Sequence, residues 1–98
     1  MAIKKTIKKS DGIEVNYHRI ALVIIDVNNQ ITVLRHSYLN EEGRQYEKNY
    51  AAGKIKGEPI FPYVDAEYMH FDYEEGMNIE KAYKWLKSQP EFEGAEDV

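Results

Sequence analysis

The residues that could do chemistry in this chain are three histidines and the carboxylates near one of them. His18, His36 and His70 each fall in a predicted strand, and none has another histidine two or four positions away, as a local metal site would. Isolated strand histidines are typically solvent-facing or hydrogen-bonded. The least unfavourable metal candidate is His70 with Asp72 and Glu67. A general acid–base pair could be drawn from Asp65, Glu67 and Asp72, although carboxylates alternate along exposed strands in any case.

Other catalytic and cofactor signatures are missing from the sequence. It contains no G-x-S-x-G, no phosphate-binding loop and no dinucleotide fingerprint. With zero cysteines, a disulfide framework, a thiolate metal site and a cysteine nucleophile are excluded. We therefore predict a protein that is not an enzyme and has no cofactor, no metal and no small-molecule substrate. Catalysis would require distant residues, such as the three histidines, to meet in one pocket.

The aromatic residues offer binding chemistry instead. The chain has eight tyrosines, and tyrosine combines a large apolar area with a polar tip, which protein interfaces favour. A small domain also places tyrosines at the rim of its own core, and for any single residue this is the simpler interpretation. As a group, five aromatic residues are predicted to form a protein interface: Tyr63, Tyr68, Phe71, Tyr73 and Trp85.

Charge is concentrated at the two ends of the chain, whose net charge is -4. The ends could attract each other within one chain or between copies, but a surface ion pair contributes only 0 to about 1 kcal/mol, so solvated faces are the simpler interpretation. A duplex-binding protein carries a basic face without an acidic counterweight, and we predict no nucleic-acid partner. The basic end holds Lys4, Lys5, Lys8 and Lys9, and the acidic end holds Glu91, Glu93, Glu96 and Asp97.

Length and composition predict one globular domain. The 98 residues are 43% hydrophobic and 31% charged, which suits a single modest core. The longest apolar run, Ile20 to Ile25, is far shorter than the roughly 20 residues of a membrane helix and predicts a buried strand, with no membrane partner. Lysines without a following apolar stretch at the start predict no secretory signal, and therefore synthesis in the cytoplasm.

The elements that must position these residues are hairpins followed by a helix. Alternating apolar residues and turn signals predict strands, and the alternation breaks between Arg19 and Leu22, which predicts a bend or bulge. Asn78 as N-cap and the spacing of Ile79, Ala82, Tyr83 and Leu86 predict an amphipathic helix with one buried stripe. The predicted strands are about 3–9, 13–27, 30–38 and 61–73, with a variable loop at 40–59 that begins with one or two helical turns, the helix at 78–88 and an acidic tail at 90–98.

These elements predict the fold class. Residues 1–98 should form a single α+β domain, with a mainly antiparallel sheet of hairpins and about four or five strands. One C-terminal amphipathic helix packs on a face of that sheet. Phe92, beyond Pro90, is expected to fold back as a final anchor.

Two stretches of the sequence resemble known proteins. Residues 11–20, DGIEVNYHRI, resemble the start of small proteins encoded in the tail and baseplate regions of phages and prophages of Gram-positive bacteria. The helix sequence AYKWLK at 82–87, followed by PEFEGA at 90–95, resembles the C-terminal part of these proteins. The similarity spans most of the chain in order, and 40–59 is the part expected to vary.

The resemblance implies a virion structural or assembly protein, associated with the tail or baseplate, that acts through protein–protein contacts. Its implied partners are other virion proteins and further copies of itself as a homo-oligomer. Its implied location is the bacterial host cytoplasm during synthesis and then the virion. No catalytic residues are implied.

The alternative is a small binding or regulatory protein that acts on a host or phage protein in the cytoplasm, for instance an inhibitor that docks its edge strand. Concentration dependence separates the two, since a structural component assembles with itself or with virion proteins. An inhibitor can remain monomeric.

Overall fold

The computed structural model of the chain describes residues 1–54 and 65–98. Within these residues the chain forms a five-stranded antiparallel sheet and two α-helices, and strand order across the sheet is β4-β3-β2-β1-β5. The predicted α+β class is confirmed. The elements are β1 (Ile3–Lys8), β2 (Glu14–Asp26), β3 (Gln30–Tyr38), α1 (Glu41–Ala51), β4 (Asp65–Asp72), α2 (Ile79–Lys87), a short 3-10 helix (Pro90–Phe92) and β5 (Glu96–Asp97).

Two tight turns create the hairpins. Gly12 takes a φ of 90° between β1 and β2, where the Asp11 carboxylate accepts a hydrogen bond of 3.0 Å from the Ile13 backbone N–H. Asn28 takes a φ of 61° between β2 and β3. Asparagine tolerates this left-handed conformation better than most residues, and the turn falls where the sequence predicts it.

The long strand β2 lies at the centre of the sheet. Its pairing with β3 shifts register between Ile20 and Leu22, which confirms the predicted irregularity. On its other side β1 pairs only with the first part of β2, from Glu14 to His18. The second part of β2 therefore extends beyond β1.

Helix α2 packs on one face of the sheet, called here the α2 face. Ala82, Tyr83 and Leu86 are buried there, as the helical spacing predicts. The prediction for Ile79 is wrong, because this side chain is 59% exposed. Ile79 is the first residue of the helix and projects beside the part of β2 that β1 does not cover.

The first part of the predicted loop at 40–59 forms helix α1, which is longer than the one or two helical turns predicted there. Asn40 caps α1 by accepting a hydrogen bond from the Gly43 N–H at 3.1 Å. Acidic residues lie in its first turn and Lys48 in its last, as the helix dipole favours. No residue of α1 is fully buried, and the sequence consequently carries no apolar stripe that would have predicted three turns.

Polar contacts attach α1 to the face of the sheet opposite α2. The Tyr38 hydroxyl donates to the Glu47 carboxylate at 2.8 Å, and the Arg19 guanidinium lies 3.1 Å from the same carboxylate. Burial raises the pKa of Tyr38 to about 12, so this hydroxyl keeps its proton at neutral pH. This polar network attaches the helix to the sheet.

The C-terminal residues are more ordered than the predicted acidic tail at 90–98. Phe92 is fully buried, which confirms it as an anchor. Beyond it, β5 pairs with the outer edge of β1 and places Glu96 opposite Lys4. The two ends of the chain thus meet within one molecule, and Asp97 also pairs with Lys87 at 3.0 Å.

Strand β4 begins at Asp65 and ends at Asp72, so Tyr73 follows the strand. The predicted strand residues 61–64 lie outside the described residues. Within the described ranges, no helix has the length and apolar character needed to cross a membrane.

Candidate protein-docking site

A groove lined by aromatic side chains lies between the end of β4 and α2. The rings of Phe71 and Trp85 stack with centroids 4.1 Å apart and planes inclined by 15°. The cavity measures about 620 Å³ and is open to solvent. We call it the aromatic groove; it is lined by Phe71, Asp72, Tyr73, Glu74, Lys81, Lys84 and Trp85.

Strand register and helical spacing place the floor of this groove. Phe71 lies opposite the fully buried Ile31 of β3, so its ring is on the α2 face. Trp85 precedes the buried Leu86 and lies at the flank of α2, where its indole covers Phe71. Lys81 is four residues before Trp85 and therefore lies on the same side of the helix.

Both signs of charge flank the aromatic floor. Lys81 and Lys84 project from the helix, and Asp72 and Glu74 lie on the strand side. Aromatic side chains with a charged rim are typical of the centres of protein interfaces, where a partner side chain is anchored and polar contacts orient it. The chemistry available in this groove is burial of an apolar or aromatic group between charged walls.

The structure brings together three of the five aromatic residues predicted as an interface. Phe71, Tyr73 and Trp85 line the aromatic groove. Tyr68 is 58% exposed but lies opposite Leu34 on the other face of the sheet, because successive strand residues point to opposite faces. Tyr63 lies outside the described residues.

The three histidines do not meet in one pocket. His18 is fully buried on the α2 face, where its ring contacts Phe92 edge-on at 5.0 Å. His70 lies on the opposite face, 2.7 Å from the Thr32 hydroxyl, and His36 shares that face by strand alternation. In the described part of the chain, no group of three or more His, Asp or Glu side chains could hold a metal ion.

A buried serine–histidine pair was missed by sequence reasoning. His18 Nε2 lies 2.7 Å from the Lys5 carbonyl, which can only accept, so Nε2 carries the proton. Nδ1 then accepts from the Ser37 hydroxyl at 2.7 Å. The pair resembles a nucleophile and its base, but both residues are fully buried. The β2–β3 register, which places His18 opposite Ser37, is the signal that could have found it.

The buried His18 makes stability depend on pH. Burial lowers the pKa of His18 below its ordinary value of 6.5, against the opposing effect of the Lys5 hydrogen bond, and burial also lowers the pKa of His36. Below pH 6.5 the unfolded chain binds protons that the folded chain does not, so the free energy of unfolding falls as pH decreases. We expect urea denaturation at pH 5 to show lower stability than at pH 7.5.

A substitution of His18 tests whether this residue causes the loss of stability at low pH. His18→Gln keeps a hydrogen-bonding side chain near Ser37 but cannot take up a proton, so the variant should lose less stability between pH 7.5 and pH 5 than the wild-type chain. The comparison concerns the difference between the two pH values, since the variant is expected to be less stable at both. An equal loss in both proteins would contradict the role given to His18.

A buried arginine forms the other polar cluster. Arg35 in β3 donates to Glu67 at 2.8 Å and to Asp65 at 3.2 Å, both in β4, and Glu91 lies 3.6 Å away beyond α2. Its guanidinium carbon is 5.2 Å from the centre of the Phe92 ring. The cluster ties β4 and the C-terminal segment to β3, and we assign it a structural role.

Comparisons with known proteins found no match: no family model, no curated protein and no solved structure matches this chain. The features that bear on function are therefore the aromatic groove, the sheet edges and the sequence resemblance.

Proposed function

We propose that this chain is a virion structural or assembly protein of a phage or prophage, associated with the tail or baseplate, that acts through protein–protein contacts. The observation that carries the proposal is the aromatic groove, which contains Phe71, Tyr73 and Trp85. The resemblance of both ends of the sequence to small tail-region proteins is the reason for proposing a phage or prophage particle. In this proposal the chain is not an enzyme and needs no cofactor.

The groove would work by burying an anchor side chain of another virion protein. The stack of Phe71 and Trp85 presents an apolar aromatic surface, which suits an aromatic or branched aliphatic side chain. Lys81 and Lys84 on one wall and Glu74 on the other would set the direction in which the partner lies. One wall belongs to a helix packed on the core, and the other is formed by the end of β4 and the residues that follow it.

The neighbouring edge of the sheet supports a docking role. Strand β4 is the last strand of the sheet, and no described strand pairs with its outer side. Backbone groups on such an edge can add a strand from a partner. A virion protein could therefore contact the outer side of β4 and the aromatic groove at the same time.

The test is to look for the chain in particles. Particles of the phage that encodes it would be purified on a density gradient and analysed by quantitative mass spectrometry. We expect a fixed number of copies per particle, in proportion to tail or baseplate proteins. The matched control is a gradient fraction from cells in which particle assembly is blocked, where the chain should not co-sediment at that density.

The opposite result favours the second candidate function. If purified particles lack the chain while cell extract contains it bound to a host or phage protein, it is a binding or regulatory protein of the cytoplasm. The outer side of β4, with which no described strand pairs, is the feature that such a protein would use, because an edge strand can dock on a target.

A further inference from the structure

The second half of β2 presents an outer edge that no described strand covers. Pairing with β1 ends at His18. Next along the strand, the Tyr83 hydroxyl accepts from the Ile20 N–H at 2.9 Å and donates to the Met1 carbonyl at 2.7 Å, which closes the edge there. From Leu22 to Asp26 the strand pairs with β3 on its inner side. Alternate residues of this stretch direct their backbone N–H and C=O groups outward.

This open edge is apolar on both faces of the sheet. Leu22 and Ile24 are each 49% exposed on the face opposite α2. On the α2 face, Ile25 and Ile79 are exposed beside a cavity of about 270 Å³. Native edges are normally protected by charges, prolines or short length, and no charged residue lies between Arg19 and Asp26. The edge therefore has the character of a surface that is covered in the assembled state.

We propose that this edge of β2 pairs with the same edge of a second copy, antiparallel and around a two-fold axis near Ile24. Ile24 is the middle of the open stretch, and antiparallel pairing of a segment with itself satisfies two-fold symmetry. The inference rests on the proposed function, in which the chain contacts further copies of itself. It uses a surface separated from the aromatic groove by β3.

Charge distinguishes this edge from the other end of the sheet. The chain has a net charge of -4, so two copies repel each other except where the contact is uncharged. Two-fold pairing of β4 would bring together strands that carry Asp65, Glu67 and Asp72. Like charges directly opposite each other in paired strands are destabilising. Pairing through Leu22–Ile25 meets no such opposition.

The proposed axis fixes which residues of the two chains face each other. With Ile24 on the axis, Leu22 of one copy faces Asp26 of the other. The turn between β2 and β3 of each copy then lies near Tyr83 of the other copy, where that residue's hydroxyl contacts Ile20 and Met1. The β1 strands lie at opposite ends of the contact and do not meet. The two sheets become one continuous sheet, joined at β2, in which the Ile24 side chains of the two copies contact each other across the axis.

The first test is Ile24→Lys, which places two like charges across the proposed axis. Solution mass would be measured by light scattering after size exclusion over a concentration series. We expect the wild-type chain to form a dimer. The dissociation constant of the variant's dimer should be higher by about tenfold or more. The matched control is Tyr68→Lys, an equally drastic change of an exposed residue on the same sheet face, which should keep the wild-type mass. Circular dichroism would verify that both variants fold.

A second variant tests the axis itself. Since the chain has no cysteine, Ile24→Cys introduces a single thiol. Residues directly opposite in antiparallel strands have Cα atoms about 4.5–5.5 Å apart, within the range that a disulfide spans. Under mild oxidation we expect covalent dimers of this variant at concentrations where Tyr68→Cys stays monomeric.

The outcomes separate this inference from the proposed function. A wild-type chain that is monomeric at all concentrations, or equal cross-linking of both cysteine variants, would overturn pairing through β2 while leaving groove docking to its own test. Loss of the dimer in Ile24→Lys supports the inference. That support would stand even if the chain were missing from particles, a result that would overturn only the proposed function.

Discussion

Phe92→Ala should lower the free energy of unfolding by about 3–5 kcal/mol, the range for removing a buried phenylalanine ring. Phe92 has no exposed surface, its ring meets His18 edge-on, and the Arg35 guanidinium lies over it. The substitution leaves a cavity between the C-terminal segment and the sheet and removes the apolar wall beside two buried polar side chains. Urea denaturation followed by circular dichroism measures the loss.

Two variants control for this result. Phe92→Leu keeps most of the apolar volume and should cost less than about 1.5 kcal/mol. Tyr68→Ala removes a largely exposed aromatic ring and should change stability by no more than about 0.5 kcal/mol. If Phe92→Ala costs no more than Tyr68→Ala, the C-terminal segment does not contribute to the core as described.

Trp85→Ala should weaken binding of the virion partner by about 2 kcal/mol or more, which is roughly 30-fold in the dissociation constant. Buried tryptophans are the residues on which interfaces most often depend, and Trp85 forms half of the groove floor. The partner would be the particle protein that cross-links to this chain in purified particles. Isothermal titration calorimetry of the two purified proteins measures the change.

Leu39→Ala is the matched control, because it removes an exposed apolar side chain that lies outside both β4 and the aromatic groove. It should leave the affinity unchanged within twofold. Equal affinity of wild-type and Trp85→Ala chains for that partner would show that docking uses another surface.

Local sequence signals were sufficient for most of the fold. Asn28 and Gly12 were predicted as turn residues because few other types tolerate positive φ, and both take it. Asn78 was predicted as the cap of α2 because its side chain can satisfy a free backbone N–H, and it accepts one from Lys81. The sequence predicts only one or two helical turns where α1 has three, because no residue of α1 is fully buried and polar contacts of Glu47 attach it to the sheet.

The candidate site was only partly predictable. Side-chain alternation along β4 places Phe71 and Tyr68 on different faces, which follows from the sequence once the strand is known. The stacking of Trp85 on Phe71 depends on where α2 lies on the sheet, and that placement is tertiary. The pairing of His18 with Ser37 likewise requires the β2–β3 register, which joins residues far apart in sequence.

The fluorescence of Trp85 tests the central claim, docking in the aromatic groove, most directly, since Trp85 is the single tryptophan of the chain. A tryptophan-free version of the cross-linked particle protein would be titrated into the wild-type chain while its emission is recorded. The account predicts a saturable blue shift, because the partner's anchor side chain displaces water from the indole. Binding that is evident by calorimetry but leaves the emission of Trp85 unchanged would contradict it.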